Sequence, residues 1–191
     1  MKTGLFFGSF NPIHIGHLAI ANYMVEYTDL DQIWFVVSPQ NPFKQKNTLL
    51  AEYHRLELVN RAIENDPRFK ASNIEFNLPK PSYTVDTLAY LREKHPKNEF
   101  ALIIGSDNLK SFHKWKNYEL LLENHELYVY PRPGFKKEDV QVEGKIQIVE
   151  APLMEISSSF IREAIREKKD IPYYLPTPVY EYIKEMHFYE K

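Results

Sequence analysis

The sequence predicts an α/β fold: a Rossmann-like, doubly wound parallel sheet with helices on both faces. Short apolar runs end in glycine, as Thr3 to Phe7 does at Gly8 and Glu99 to Ile104 does at Gly105. Segments with helical spacing separate these runs. The runs are also apolar throughout rather than alternating, which is the pattern of strands covered on both faces. In such sheets ligands bind beyond the carboxyl ends of strands, where the connections switch sides. Gly8, Ser38 and Gly105 lie at such ends, so the chemistry is expected in the loops that follow them.

Element by element, the first strand feeds the loop Gly8 to Gly16 and then a helix from His17 to Glu26, where Leu18, Ile20, Ala21, Met24 and Val25 recur at helical spacing. Gln32 to Val37 reads as a second buried strand, followed by a proline-punctuated loop from Ser38 to Asn47. Ala51 to Asn65 is helical, with Leu56, Val59 and Ile63 on one stripe. Phe69 to Phe76 reads as an edge-type strand, and Thr84 to Lys94 as a helix capped by Ser82 or Thr84. Beyond the strand Glu99 to Ile104, two short helical turns are expected within Ser106 to Glu123. Strands follow at Leu127 to Tyr130 and Lys145 to Val149, with a turn around Pro131 to Gly134 between them. Helices at Ser158 to Lys168 and Pro178 to Met186 complete the chain.

The 191 residues suffice for one sizeable core and are read as one unit, 1–191. A net charge of -2 gives no general attraction to nucleic acid or to an anionic membrane, so phosphate binding has to be local. With no cysteine there are no disulfides, Cys-based zinc sites or thiol nucleophiles. Met1-Lys2-Thr3 runs directly into a segment too short to span a bilayer and without a leader's cleavage pattern, which suggests a cytoplasmic protein.

The first cluster of chemistry is Gly8-Ser9-Phe10-Asn11-Pro12-Ile13-His14-Ile15-Gly16-His17. Gly8 allows a tight turn and a close backbone approach. The start of the helix offers free N–H groups and partial positive charge to a phosphate, and the imidazoles can add donors as charge builds on a leaving group. Taken alone, His14 and His17 would more simply be a cap and a packing residue. No third ligand stands at metal-binding spacing.

The second cluster is Ile156-Ser157-Ser158-Ser159-Phe160-Ile161-Arg162. Serines at a helix start supply hydroxyls and unpaired N–H groups, and Arg162 lies one turn in, which makes an anion site. Alone it would read as a good N-cap with a solvated arginine.

Gly8 to His17 resembles the Gly-(Ser/Thr)-Phe-(Asp/Asn)-Pro-x-His-x-Gly-His signature of the nucleotidylyltransferase superfamily, with Asn11 where many members carry Asp. Its His-Ile-Gly-His is shared with class I aminoacyl-tRNA synthetases. Ile156 to Arg162 resembles the superfamily's Ile-Ser-Ser-(Ser/Thr)-x-Ile-Arg motif, counterpart of the synthetases' Lys-Met-Ser-Lys-Ser loop. Three further segments are similar to the nicotinate-nucleotide adenylyltransferases of bacterial NAD synthesis. These are Ser38 to Lys44 (with Phe43 where many relatives place His), Ser82 to Thr87, and Gly105 to Asn108 with Phe112, His113 and Trp115, joined by Arg132-Pro133-Gly134.

The resemblance implies adenylyl transfer from ATP to nicotinate mononucleotide, giving deamido-NAD and pyrophosphate. His14, His17, Lys44 and Arg162 would be the catalytic donors. Gly8, Ser9, Phe10, Gly16, Gly105, Asp107, Ile156, Ser157 and Ser158 would line the ATP site, and Tyr83, Thr84 and Trp115 the mononucleotide site. Trp115 would stack on the pyridinium ring, and N–H groups near Thr84 would receive the nicotinate carboxylate. Mg²⁺ would be carried by the ATP phosphates, with no protein side chains as metal ligands. Glu155 and Asp86 read as structural or solvated, because the attacking phosphate is already ionised near neutral pH. The alternatives are an amide-preferring enzyme, a pantetheine-phosphate or cytidylyl transferase, and a non-catalytic nucleotide- or RNA-binding relative. Tyr173-Tyr174, in a proline-rich loop, could reach a neighbouring chain in a homo-oligomer.

Overall fold

The computed structural model describes residues 1–39, 49–134 and 143–191. Six parallel strands form one sheet in the order β3-β2-β1-β4-β5-β6. They are β1 (Lys2–Gly8), β2 (Gln32–Val37), β3 (Phe69–Ser72), β4 (Glu99–Gly105), β5 (Leu127–Tyr130) and β6 (Ile146–Ile148). The order reverses between β1 and β4, which opens a crevice at their carboxyl ends. Phe6 pairs with Ile103, so Gly8 and Gly105 close two neighbouring strands at the same level.

Helices α1 (Ile15–Tyr27), α2 (Glu52–Ile63), α6 (Ser158–Arg166) and α7 (Thr177–Glu185) accompany one face; α3 (Thr84–Lys94), α4 (Ser106–Lys110) and α5 (Tyr118–Asn124) accompany the other. Side chains alternate across the sheet, so each solidly apolar strand feeds two cores. Phe6, Ile33, Phe35, Ala101, Ile103 and Tyr128 face Ile20, Met24, Leu58, Ile161 and Val179. Leu5, Trp34, Val36, Leu102, Ile104 and Val129 face Leu88, Leu91, Leu109 and Leu121. Gly4 in β1 sits among closely packed side-chain ends that an added Cβ would push aside. A Cβ there would stand 2.7 to 2.9 Å from the Cδ1 atoms of Ile103, Ile33 and Leu30.

Most of the expected elements are present, with three differences. The strand at Phe69 ends at Ser72, and Ile74–Asn77 form a 3-10 turn that still turns Ile74 and Phe76 inward. Helix α3 is not capped by Ser82 or Thr84. Its N-cap is Tyr83, with extended backbone and no side-chain capping bond. A 3-10 turn at Pro172–Tyr174 occupies the stiff loop before α7.

Candidate active site

The loop after β1 turns on Phe10, whose φ of 44° lies in the left-handed region. Such a conformation costs a non-glycine residue about 1–3 kcal/mol unless its surroundings hold it. Here the ring is 2% exposed and packs edge-on against Phe6, Phe35 and His17, with centroids 5.9, 5.6 and 5.2 Å away. It also lies under Gly8, where a Cβ would come within 2.8 Å of it. The Phe10 side chain is therefore committed to packing and braces His17.

His14 is the N-cap of α1. Its backbone N–H donates to Nδ1 of His17 at 3.2 Å, and the two rings are 3.8 Å apart. Accepting at Nδ1 puts the His17 ring proton on Nε2. Burial lowers the His14 pKa to about 4, with the Arg132 guanidinium adding to the effect, so His14 is neutral at pH 7. His14 Nδ1 is buried with no hydrogen-bond partner among the described residues. Gly16 keeps the backbone thin here: a Cβ would lie 3.1 Å from the His14 ring and 3.7 Å from Ile156 Cβ.

The second motif is built onto the first. Ser157 caps α6, its hydroxyl accepting from Phe160 N at 3.1 Å. Ser158 Oγ donates to the Pro12 carbonyl at 2.9 Å, across a cis Asn11–Pro12 peptide. Arg162 donates to the Asn11 carbonyl at 2.8 Å and to Ser159 Oγ at 3.3 Å. All three serine hydroxyls of the motif are thus engaged in protein contacts. The start of α6 presents main-chain N–H groups and the partly buried Arg162 beside the start of α1.

At the end of β4, a Cβ on Gly105 would collide with Asp107 Oδ1 and lie 3.3 Å from Arg132 Nε. Asp107 is 3.9 Å from Arg132 Nε in a half-exposed pair. Arg132 also lies over the Tyr130 ring and receives the Ser106 hydroxyl oxygen as acceptor for its backbone N–H, at 2.9 Å. In the sequence Arg132 is marked only by the run Arg-Pro-Gly. The structure makes it a cation common to His14 and Asp107.

Tyr83 and Thr84 stand at the start of α3, and Trp115 packs on Phe112 with centroids 4.8 Å apart. Lys116, which sequence reasoning passed over, joins the two segments. Its ammonium lies 4.6 Å from the Tyr83 ring centroid and 2.9 Å from Asp86 Oδ2. Behind them the buried Glu75 accepts from Thr87 Oγ1 at 2.9 Å and is hydrogen-bonded to Ser38 and Ser82. Desolvation raises its pKa despite those bonds. Glu75 thus ties the end of β2 to the entrance of α3.

Arg55 is the largest omission from the sequence reasoning. On α2 and 0% exposed, it donates to the carbonyls of Leu50, Ser9, Ser38 and Pro39 at 2.9, 2.6, 2.8 and 2.9 Å. It fastens the loop after β1 to the loop after β2. An arginine among Glu52, Glu57 and Arg61 carries no mark of burial in the sequence. Lys44 and Phe43 lie outside the described residues.

The chain matches the cytidylyltransferase-like family model over residues 5–164. It is 58% identical to a Christiangramia forsetii protein named "Probable nicotinate-nucleotide adenylyltransferase", covering 99% of this chain and 98% of that one. A Bacteroides thetaiotaomicron protein of the same name is 50% identical, over 97% and 92% of the two chains. Plasmodium falciparum nicotinic acid mononucleotide adenylyltransferase, solved in complex with NaAD, superposes with a TM-score of 0.82 at 21% identity, over 99% of this chain and 97% of that one, and it shares the fold. On these matches, the chain belongs to the nicotinate-nucleotide adenylyltransferases within the cytidylyltransferase-like family.

Proposed function

We infer that this protein transfers the adenylyl group of ATP to nicotinate mononucleotide, releasing pyrophosphate and forming deamido-NAD. The observation that carries this reading is the junction of the two motifs, with Ser158 on Pro12 and Arg162 on Asn11 at the carboxyl end of β1. Two helix starts and a guanidinium converge there, an arrangement suited to a triphosphate.

In the reaction a 5′-phosphate oxygen of the mononucleotide forms a bond to the α-phosphorus. The bond from that phosphorus to the bridging oxygen breaks, and pyrophosphate leaves with the electron pair. His17 Nε2–H, neutral His14, Arg162 and Lys44 serve as donors to the phosphate oxygens. Gly8, Ser9, Phe10, Gly16, Gly105, Asp107, Ile156, Ser157 and Ser158 shape the ATP site, chiefly through main chain. Trp115 stacks on the pyridinium, while the start of α3 at Tyr83 and Thr84, reinforced by Lys116, takes the carboxylate.

Imidazole, guanidinium and N–H groups are donors rather than oxygen ligands, so the site suits Mg²⁺ arriving on the triphosphate. Among the described residues no group of three or more His, Asp or Glu could hold a metal. Bound there, Mg²⁺ supplies neutralisation of the leaving group's charge. The reading takes residues 1–191 as one unit, supported by the packing of α7 into the same core as α1 and α2, and assigns it to the cytoplasm. No helix among the described residues is long and apolar enough to cross a membrane. A homo-oligomer through the Tyr173 turn belongs to the same reading, Tyr173 being 89% exposed.

The test is pyrophosphate release with ATP and Mg²⁺, run in parallel with nicotinate mononucleotide and nicotinamide mononucleotide. Preference for the acid supports the whole reading. Preference for the amide keeps the reaction and overturns the substrate. Release with neither overturns both.

A further inference from the structure

Helix α7 ends in a way that sends the chain back into the molecule. His187 takes the left-handed conformation at φ 54°, its N–H bonds to the Lys184 carbonyl at 3.2 Å, and Phe188 N–H bonds to the Ile183 carbonyl at 3.1 Å. This is a Schellman ending, and Phe188 and Ile183 make the apolar contact that accompanies it, both buried in the core with α1 and α2. A further left-handed residue, Tyr189 at φ 67°, follows. Its hydroxyl donates to Asn11 Oδ1 at 2.9 Å.

Asn11 is 4% exposed. Its Oδ1 also accepts the Leu50 N–H, at 3.2 Å. A backbone N–H is only a donor, so this atom is the amide oxygen and Tyr189 is necessarily the donor to it. The Asn11 carbonyl meanwhile receives Arg162. One residue is therefore held on its side chain by Tyr189 and on its main chain by the cation of the second motif. Burial raises the Tyr189 pKa, so the phenol keeps its proton at any working pH.

We propose that Tyr189 is a positioning residue for adenylyl transfer: by holding Asn11 it fixes the loop on which Arg162 and the His14–His17 pair converge. It does not touch substrate. The proposal rests on the reaction given above, and it concerns a segment past the last helix that neither phosphate motif includes.

Tyr189→Phe keeps the ring and removes the one hydroxyl. Its kcat is expected to fall roughly ten- to a hundredfold, because small misplacements of reacting groups cost that much, with KM for ATP little changed. The melting temperature should stay close to that of the parent protein. Asn11→Ala should lower kcat as well, and the double variant Tyr189→Phe/Asn11→Ala should be no slower than Asn11→Ala alone, since both changes cut one connection. Parent-like kcat in Tyr189→Phe would overturn the proposal. So would losses that multiply in the double variant, or a fall in activity that merely follows a fall in melting temperature. If the parent protein releases no pyrophosphate with either mononucleotide, the reaction itself has failed, and that result is separate from these.

Discussion

The backbone N–H of His14 donates to Nδ1 of His17, so the cap of α1 orients the imidazole one turn further in. The ring proton of His17 is held on Nε2, opposite the backbone that fixes it. His17→Ala removes that donor without opening the core. We expect kcat to fall about 10²–10³-fold, the usual loss for one preorganised donor to developing charge. Steady-state kinetics with ATP and nicotinate mononucleotide checks this, and unchanged kcat in a folded variant rules out the assignment.

Acid should weaken the fold through His14. Its pKa is about 4 when folded and near 6.5 when unfolded, because burial disfavours the cation. Between these values the unfolded chain takes up a proton that the folded protein does not, so stability is lost as pH falls through this window. From pH 7.5 to 5.0 the loss amounts to about 2 kcal/mol. Glu75, with its raised pKa, acts in the opposite sense and loses stability as pH rises. Urea denaturation at both pH values should show the acid loss in the parent protein and a smaller one in His14→Gln. Equal losses in the two would remove His14 as the cause.

Arg55 should matter chiefly for stability. Arg55→Met leaves the Leu50, Ser9, Ser38 and Pro39 carbonyls without their donor in a buried place, a cost of about 3–5 kcal/mol. Arg55→Lys keeps the charge and loses the planar fork, so it recovers only part of that. Chemical denaturation gives both numbers. A loss below 1 kcal/mol for the Met variant would mean that other contacts hold these loops.

Acid-over-amide preference should respond to Lys116. Its pair with Asp86 is exposed and screened, so Lys116→Gln is expected to raise KM for nicotinate mononucleotide only about two- to fivefold while leaving the amide unchanged. Trp115→Ala should weaken both mononucleotides, by about tenfold, because stacking does not distinguish them. Parallel KM measurements separate the two effects. An equal change for acid and amide in Lys116→Gln would assign the preference elsewhere.

The sequence made the strands legible wherever an apolar run met a clear stop. Gln32–Val37 and Leu127–Tyr130 have the expected bounds, and Thr84–Lys94 was legible as a helix from its spacing. It misled at Phe69, because Ile74 and Phe76 continue an alternation that the chain meets with a 3-10 turn instead of a strand. The two motifs stand out in the sequence as serines, glycines and histidines at helix starts, which read there as anion sites. Their mutual contact was not legible, since Ser158 and Pro12 are remote in sequence and only the fold brings them together. Arg55, Glu75, Lys116 and Tyr189 act through burial or partners, and neither is written in residue type.

Arg55 has one more consequence. Each of its four acceptors is a main-chain carbonyl. The side chains at positions 9, 38, 39 and 50 are therefore irrelevant to the bracket that joins their loops. A change of side chain at any of these four positions leaves Arg55 its acceptor, even where it cuts another tie such as that of Ser38 to Glu75. In this fold, one guanidinium joins two loops through contacts that do not depend on which side chains the loops carry there.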